Sequence, residues 1–138
     1  ELYFDNVIDC VAGFNDFDVL GHIDVFRRYL SQGEKSFIYK EHEEKIEYIL
    51  SSLINKNKGI EINTSGLRYS LSSFHPISEI LKLYKNLKGE IITIGSDSHT
   101  PHHLGYKFNE VMELLKSLNF SYYTIFESRQ PKFIKINE

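Results

Sequence analysis

Glu90-Ile91-Ile92-Thr93-Ile94-Gly95-Ser96-Asp97-Ser98-His99 is the stretch on which the fold turns. Its first part is apolar and β-branched between Gly89 and Gly95, the pattern of a short strand buried on both faces. Its last part is polar and ends in a carboxylate and an imidazole, Asp97 and His99. Side chains alternate along an extended backbone, so Asp97 and His99 are expected to point the same way. Parallel α/β sheets present their ligand-handling residues just past the carboxyl ends of the strands. The stretch therefore predicts a parallel sheet with chemistry at Asp97 and His99. The competing expectation is a capping cluster, in which Ser96, Asp97 and Thr100 bond the first amides of a helix beginning at Pro101.

The neighbouring sequence repeats the alternation. Residues 2–13 read as a helix, and Phe17-Asp18-Val19-Leu20-Gly21-His22 as a strand. Residues 41–56 give the clearest helix, with Ile46, Ile49, Leu50, Leu53 and Ile54 at helical spacing. Gly59-Ile60-Glu61-Ile62-Asn63 is a second strand, with Glu61 and Asn63 on one face. Helices are expected over 78–88 and 105–118, and a last strand from Tyr122 to Phe126. Strands alternating with helices imply βαβ units and a parallel sheet. Four strands in 138 residues make roughly half of a (β/α) barrel, which takes about 250 residues when complete. A small doubly wound sheet of four strands is the self-sufficient alternative.

Composition narrows the function. The chain is 41% hydrophobic, enough for one packed domain spanning 1–138. Its 16 basic and 19 acidic residues are intermixed, which argues against a nucleic-acid surface or a polybasic membrane anchor. No apolar run approaches the roughly 18–20 residues of a membrane span, and the first residues do not read as a signal peptide. A single cysteine, Cys10, excludes an internal disulfide and fits a reducing cytoplasm. The chain starts without methionine inside a helical pattern, as a piece of a longer protein would.

Three strand ends bring candidate groups together: His22, then Glu61 and Asn63, then Asp97 and His99. Imidazole and carboxylate donors hold divalent ions, which lower the pKa of bound water and offset phosphate charge. Arg27, Arg28 and Arg68 lie nearby in sequence, and a guanidinium fork suits phosphate or carboxylate. Each arginine also has a plain reading as a solvated surface charge. His42, in a charged helix start, is expected to be solvated, and His75 before Pro76 has no assigned chemistry. There is no Gly-rich phosphate loop, Cys-x-x-Cys or Gly-x-Ser-x-Gly, so nucleophilic serine or cysteine catalysis has no support.

In order along the chain, Phe17-Asp18-Val19-Leu20-Gly21-His22-Ile23-Asp24, Glu61-Ile62-Asn63-Thr64-Ser65-Gly66-Leu67-Arg68, Ile94-Gly95-Ser96-Asp97-Ser98-His99 and Phe126-Glu127-Ser128-Arg129-Gln130-Pro131 resemble the C-terminal part of the polymerase and histidinol phosphatase (PHP) family, in its histidinol-phosphatase branch. The resemblance implies the C-terminal half of a distorted (β/α)7 TIM-like barrel with up to three divalent ions, Zn, Mn or Fe, at its strand ends. It implies that His22, Asp97 and His99 are metal ligands and the catalytic group. Arg68 and Arg129 would contact phosphate, with Glu61 and Asn63 beside the substrate. The implied reaction is hydrolysis of a small phosphorylated substrate, L-histidinol phosphate. The family's N-terminal His-x-His and bridging glutamate have no counterpart in this sequence. The implied partners are therefore a missing N-terminal half or a second copy of the chain. A non-catalytic remnant or interaction module is the alternative, as is another PHP-type metallohydrolase.

Overall fold

The structure is a computed structural model that describes residues 2–30 and 36–136. It is a mixed α/β fold around a parallel sheet of three strands, β1 (Val19–Leu20), β2 (Gly59–Asn63) and β3 (Ile92–Gly95), in that order. Val19 pairs with Gly59 and Ile60 with Ile92, which aligns the three carboxyl ends on one side of the molecule. Central β2 is buried along nearly its whole length, as its apolar alternation requires.

Among the described residues four α-helices accompany the strands: α1 (Leu2–Gly13), α2 (Glu43–Asn55), α3 (Ser78–Asn86) and α4 (Phe108–Ser117). Each puts an apolar stripe into one core. Ile46, Ile49, Leu50 and Leu53 of α2, Ile80 and Leu81 of α3, and Val111 and Leu115 of α4 lie against Ile60, Ile62 and Ile92. Burying a side chain of this size contributes about 1.5–3 kcal/mol. Helix α1 packs on α2, with Lys45 paired to Asp5 at 2.7 Å.

The boundaries differ from the sequence expectation at the sheet. The first strand is Val19–Leu20 rather than 17–22, and the third begins at Ile92 rather than Glu90. The larger correction concerns Tyr122 onward. This segment, β4 (Tyr122–Glu127), does not extend the parallel ladder. It forms an antiparallel hairpin with β5 (Gln130–Lys135), a strand the sequence analysis did not anticipate. The cause is local: Ser128 and Arg129 both adopt positive φ, 49° and 64°, as a two-residue hairpin turn of matching twist requires. Serine-arginine is an unusual pair for that turn, so no Asn-Gly signal announced it. The hairpin meets the sheet through a side chain: the Ile92 amide donates to Thr124 Oγ1 at 3.3 Å.

Candidate active site

At the carboxyl end of β3 the backbone leaves the extended conformation at once. Asp97 has φ 50°, a left-handed value that costs a non-glycine residue about 1 kcal/mol or more. The alternation argument for Asp97 and His99 therefore does not apply beyond Gly95. They are adjacent for a different reason: the His99 Nδ1–H donates to the Asp97 carbonyl at 2.8 Å, with Nδ1 3.9 Å from the Asp97 carboxylate. The His99 side chain is 78% exposed. The capping alternative fails as well. The short helical turn Pro101–His103 has no side-chain cap, and Ser98 bonds the Thr100 carbonyl instead.

Arg68 holds this bend in place. Its Nη1 and Nη2 donate to the carbonyls of Ser96 and Asp97 at 2.7 and 2.8 Å, and its guanidinium lies 5.7 Å from the Tyr106 ring centre. One N–H on each terminal nitrogen is used this way, leaving a second on each.

His22 also has positive φ, 27°, just past β1. Its amide donates to Glu61 Oε2 at 3.2 Å, and Asn63 Nδ2 donates to the same oxygen at 3.1 Å. Glu61 is thus tied across two strand ends. A Cβ on Gly95 would stand 2.1 Å from Glu61 Oε1, so glycine is what lets this carboxylate lie over β3. Asn63 is buried, and its Oδ1 accepts from the Ser65 amide and hydroxyl, capping the short helix Thr64–Tyr69. Both ends of its amide are engaged inside the protein.

Arg129, grouped with Arg68 in the sequence analysis, is not brought to this site. It pairs with Asp16 at 2.5 Å and Asp18 at 2.9 Å, residues that precede β1 and so lie at the opposite end of the sheet. Arg129 holds the Asp18 carboxyl below its ordinary value, chiefly through that hydrogen bond.

The surface readings of Arg27 and Arg28 are corrected outright. Arg27 is 3% exposed and bonds Asp24, Ser73 and the Phe74 carbonyl. The Arg28 side chain is 7% exposed. It bonds His75 Nε2 at 3.1 Å and Ser65 Oγ, stacks 4.2 Å over the Tyr69 ring, and lies 3.6 Å from the Asp97 carboxylate. His75 is fully buried against Asp24, with Nδ1 and Oδ1 2.7 Å apart. His42 is not solvated: its ring stacks on Phe37 at 5.6 Å and meets Phe4. Nothing in local spacing separates these buried side chains from solvated ones, because their partners lie up to 51 residues away.

The site therefore unites His22, Glu61, Asn63, Arg68, Asp97 and His99 at one sheet end, and adds Arg28. Among the described residues no three His, Cys, Asp or Glu side chains gather closely enough to hold a metal ion. Asp97 faces a guanidinium, a cation already in place beside the best donor. By themselves these donors do not make a complete metal centre. No helix among the described residues is long and apolar enough to cross a membrane.

No family model matches the sequence. A protein of Thermotoga maritima named "Probable histidinol-phosphatase" is 37% identical over 109 residues, 79% of this chain and 44% of its own length. One of the same name from Clostridium acetobutylicum is 30% identical over 133 residues, 96% of this chain and 51% of its own length. The histidinol-phosphatase of Lactococcus lactis is 32% identical over 113 residues, 82% of this chain and 42% of that one. The fold matches the crystal structure of a histidinol phosphate phosphatase from Lactococcus lactis, complexed with zinc, L-histidinol and phosphate. There the TM-score is 0.74 at 25% identity, over 95% of this chain and 49% of that one. By sequence and by fold, this chain is similar to the histidinol-phosphatases and spans about half the length of the curated relatives it matches.

Proposed function

We propose that this chain carries part of the active site of a divalent-metal-dependent phosphomonoester hydrolase, acting on L-histidinol phosphate in histidine biosynthesis. The observation that carries the reading is that the parallel register aligns the strand ends followed by His22, Glu61 and Asp97, with Arg28 and Arg68 held beside Asp97. The fold is shared with a phosphatase solved with zinc, L-histidinol and phosphate. His22, Asp97 and His99 would be metal ligands, each completed by donors from elsewhere, and Zn, Mn or Fe suits such a mixed set. The ion supplies an acidified water and offsets phosphate charge. Arg68 would meet phosphate with its two remaining terminal N–H groups, and Glu61 would orient the His22 strand end. Arg129 has no part in this reading, being held by Asp16 and Asp18. The three-stranded sheet would be half of a distorted (β/α)7 barrel, a single domain completed by further strands or by a second copy. The exposed, unpaired Cys10 suits a reducing cytoplasm.

A second reading, a non-catalytic remnant or interaction module, is favoured by the lack of a three-donor cluster among the described residues. Phosphate release from L-histidinol phosphate, with Mn²⁺, Zn²⁺ or Fe²⁺ added, separates the two. Release by the chain combined with the segment or second copy that completes its donors, lost in Asp97→Asn, is the expected result. A completed assembly that neither releases phosphate nor binds zinc by calorimetry overturns the catalytic reading.

A further inference from the structure

Behind the exposed part of the site lies a buried chain of polar groups. Asp24 is fully buried and receives three donors. Arg27 Nη1 and the Ile77 amide reach its Oδ2 at 3.0 Å each, and His75 Nδ1 lies 2.7 Å from its Oδ1. His75 is also fully buried, and its other ring nitrogen faces the Nε–H of Arg28 at 3.1 Å. A guanidinium only donates, so His75 Nε2 must be the acceptor and Nδ1 must carry the proton toward Asp24. One tautomer alone satisfies both contacts. The backbone of His75 is fixed too, by a pair of hydrogen bonds with Asn63 at the end of β2. The far end of the chain is the Arg28 fork, turned toward Ser65 and the Asp97 carboxylate.

We propose that Asp24 and His75 are positioning residues that act through Arg28. The buried carboxylate selects the Nδ1–H tautomer, and the resulting Nε2 lone pair aims the guanidinium at the carboxyl end of the sheet beside Asp97. A long arginine side chain has much rotamer freedom to lose when it is fixed. An anion meeting a fork already held in place does not supply that ordering. The value of the relay for phosphate binding rests on the phosphatase reading above. The relay itself does not.

The test uses ¹⁵N-labelled chain and the fact that the two histidine amides mimic different ring nitrogens. In the unmodified chain, His75 Nδ1 should be protonated and Nε2 bare, with a nitrogen–nitrogen coupling from Arg28 Nε to His75 Nε2 across the hydrogen bond. Asp24→Asn can turn an amide N–H toward Nδ1, so the ring should switch to Nε2–H and the coupling should vanish. Because Asp24 also balances Arg27, that variant can fail to fold, and His75 variants provide the independent arm. His75→Gln places an oxygen near Nε2 and should keep the Arg28 Nε–H protected from exchange. His75→Asn places its amide near Nδ1 and should expose it, with exchange faster by about tenfold or more. A protonated Nε2 in the unmodified chain, or equal exchange in the two His75 variants, overturns the proposal. A chain that shows the coupling, but whose completed assembly neither turns over L-histidinol phosphate nor binds zinc, keeps the relay and removes the phosphatase reading.

Discussion

Tyr84 shows how one residue can set a chemical limit on the fold. It is a buried residue of α3, and its hydroxyl donates to the Ile91 carbonyl at 3.0 Å. Burial pushes its pKa up from 10.0 to about 12, with the Glu90 charge adding to the effect and the Ile91 bond opposing it. The folded value lies above the unfolded one, so the neutral phenol is the form the fold prefers. Its contribution is complete below pH 10 and drains away as pH rises through about 12. A shift of this size corresponds to something on the order of 2–3 kcal/mol. Urea unfolding midpoints at neutral and strongly alkaline pH should converge more in Tyr84→Phe than in the unmodified chain. At neutral pH that variant should lose only about 1 kcal/mol, because Ile91 keeps its ladder bond from Ile60. An unchanged alkaline slope in the variant would assign the sensitivity elsewhere. At the same scale, the candidate site is shaped by two backbone exceptions, His22 and Asp97, whose positive φ turns polar groups that a continuing strand would have alternated.

At the scale of elements, β2 and β3 decide whether the site exists. The strands approach so closely that a Cβ on Gly59 would stand 2.5 Å from the Ile91 carbonyl and 2.3 Å from its Cγ2. A backbone oxygen that accepts from Ile60 cannot retreat without breaking the ladder. Gly59→Ala should therefore cost about 1–3 kcal/mol in urea unfolding. Gly13→Ala, at the end of α1 with nothing within 4 Å, should be neutral or mildly stabilising, since alanine suits a helix better. Equal effects of the two substitutions would mean that close strand approach does not limit stability. The helices were legible from spacing because each buries a 3.6-residue stripe, and α2 differs from its expected bounds only at the ends. The hairpin of β4 and β5 was not, because its turn rests on Ser128 and Arg129 rather than on residues that favour positive φ.

At the scale of the whole molecule, β1 stands at the edge of the sheet: among the described residues it pairs only with β2, and beyond β3 the hairpin is joined through Thr124 rather than through a ladder. Open sheet edges invite pairing. If the sheet is half of a barrel, as proposed, the chain should associate with increasing concentration in sedimentation velocity. A compact monomer at all concentrations would argue for a self-sufficient sheet instead. The buried charges belong to this scale as well. Arg27 and Asp24 sit in the interior at 3% and 0% exposure, and removing either partner would strand a charge away from water.

By itself the sequence determined the alternation of strands and helices, the identity of the sheet end that carries His22, Glu61 and Asp97, and the resemblance to the histidinol-phosphatases. All of these follow from periodicity and from short motifs, which are properties of neighbours along the chain. Tertiary structure alone decided that Arg28 faces Asp97, that Arg68 braces the 96–97 carbonyls, that Arg129 lies at the other end, and that Asp24 and His75 form a buried pair. The physical reason is that a charged side chain reads the same in sequence whether water or a distant buried partner satisfies it. Only folding brings residues 24 and 75 within one hydrogen bond.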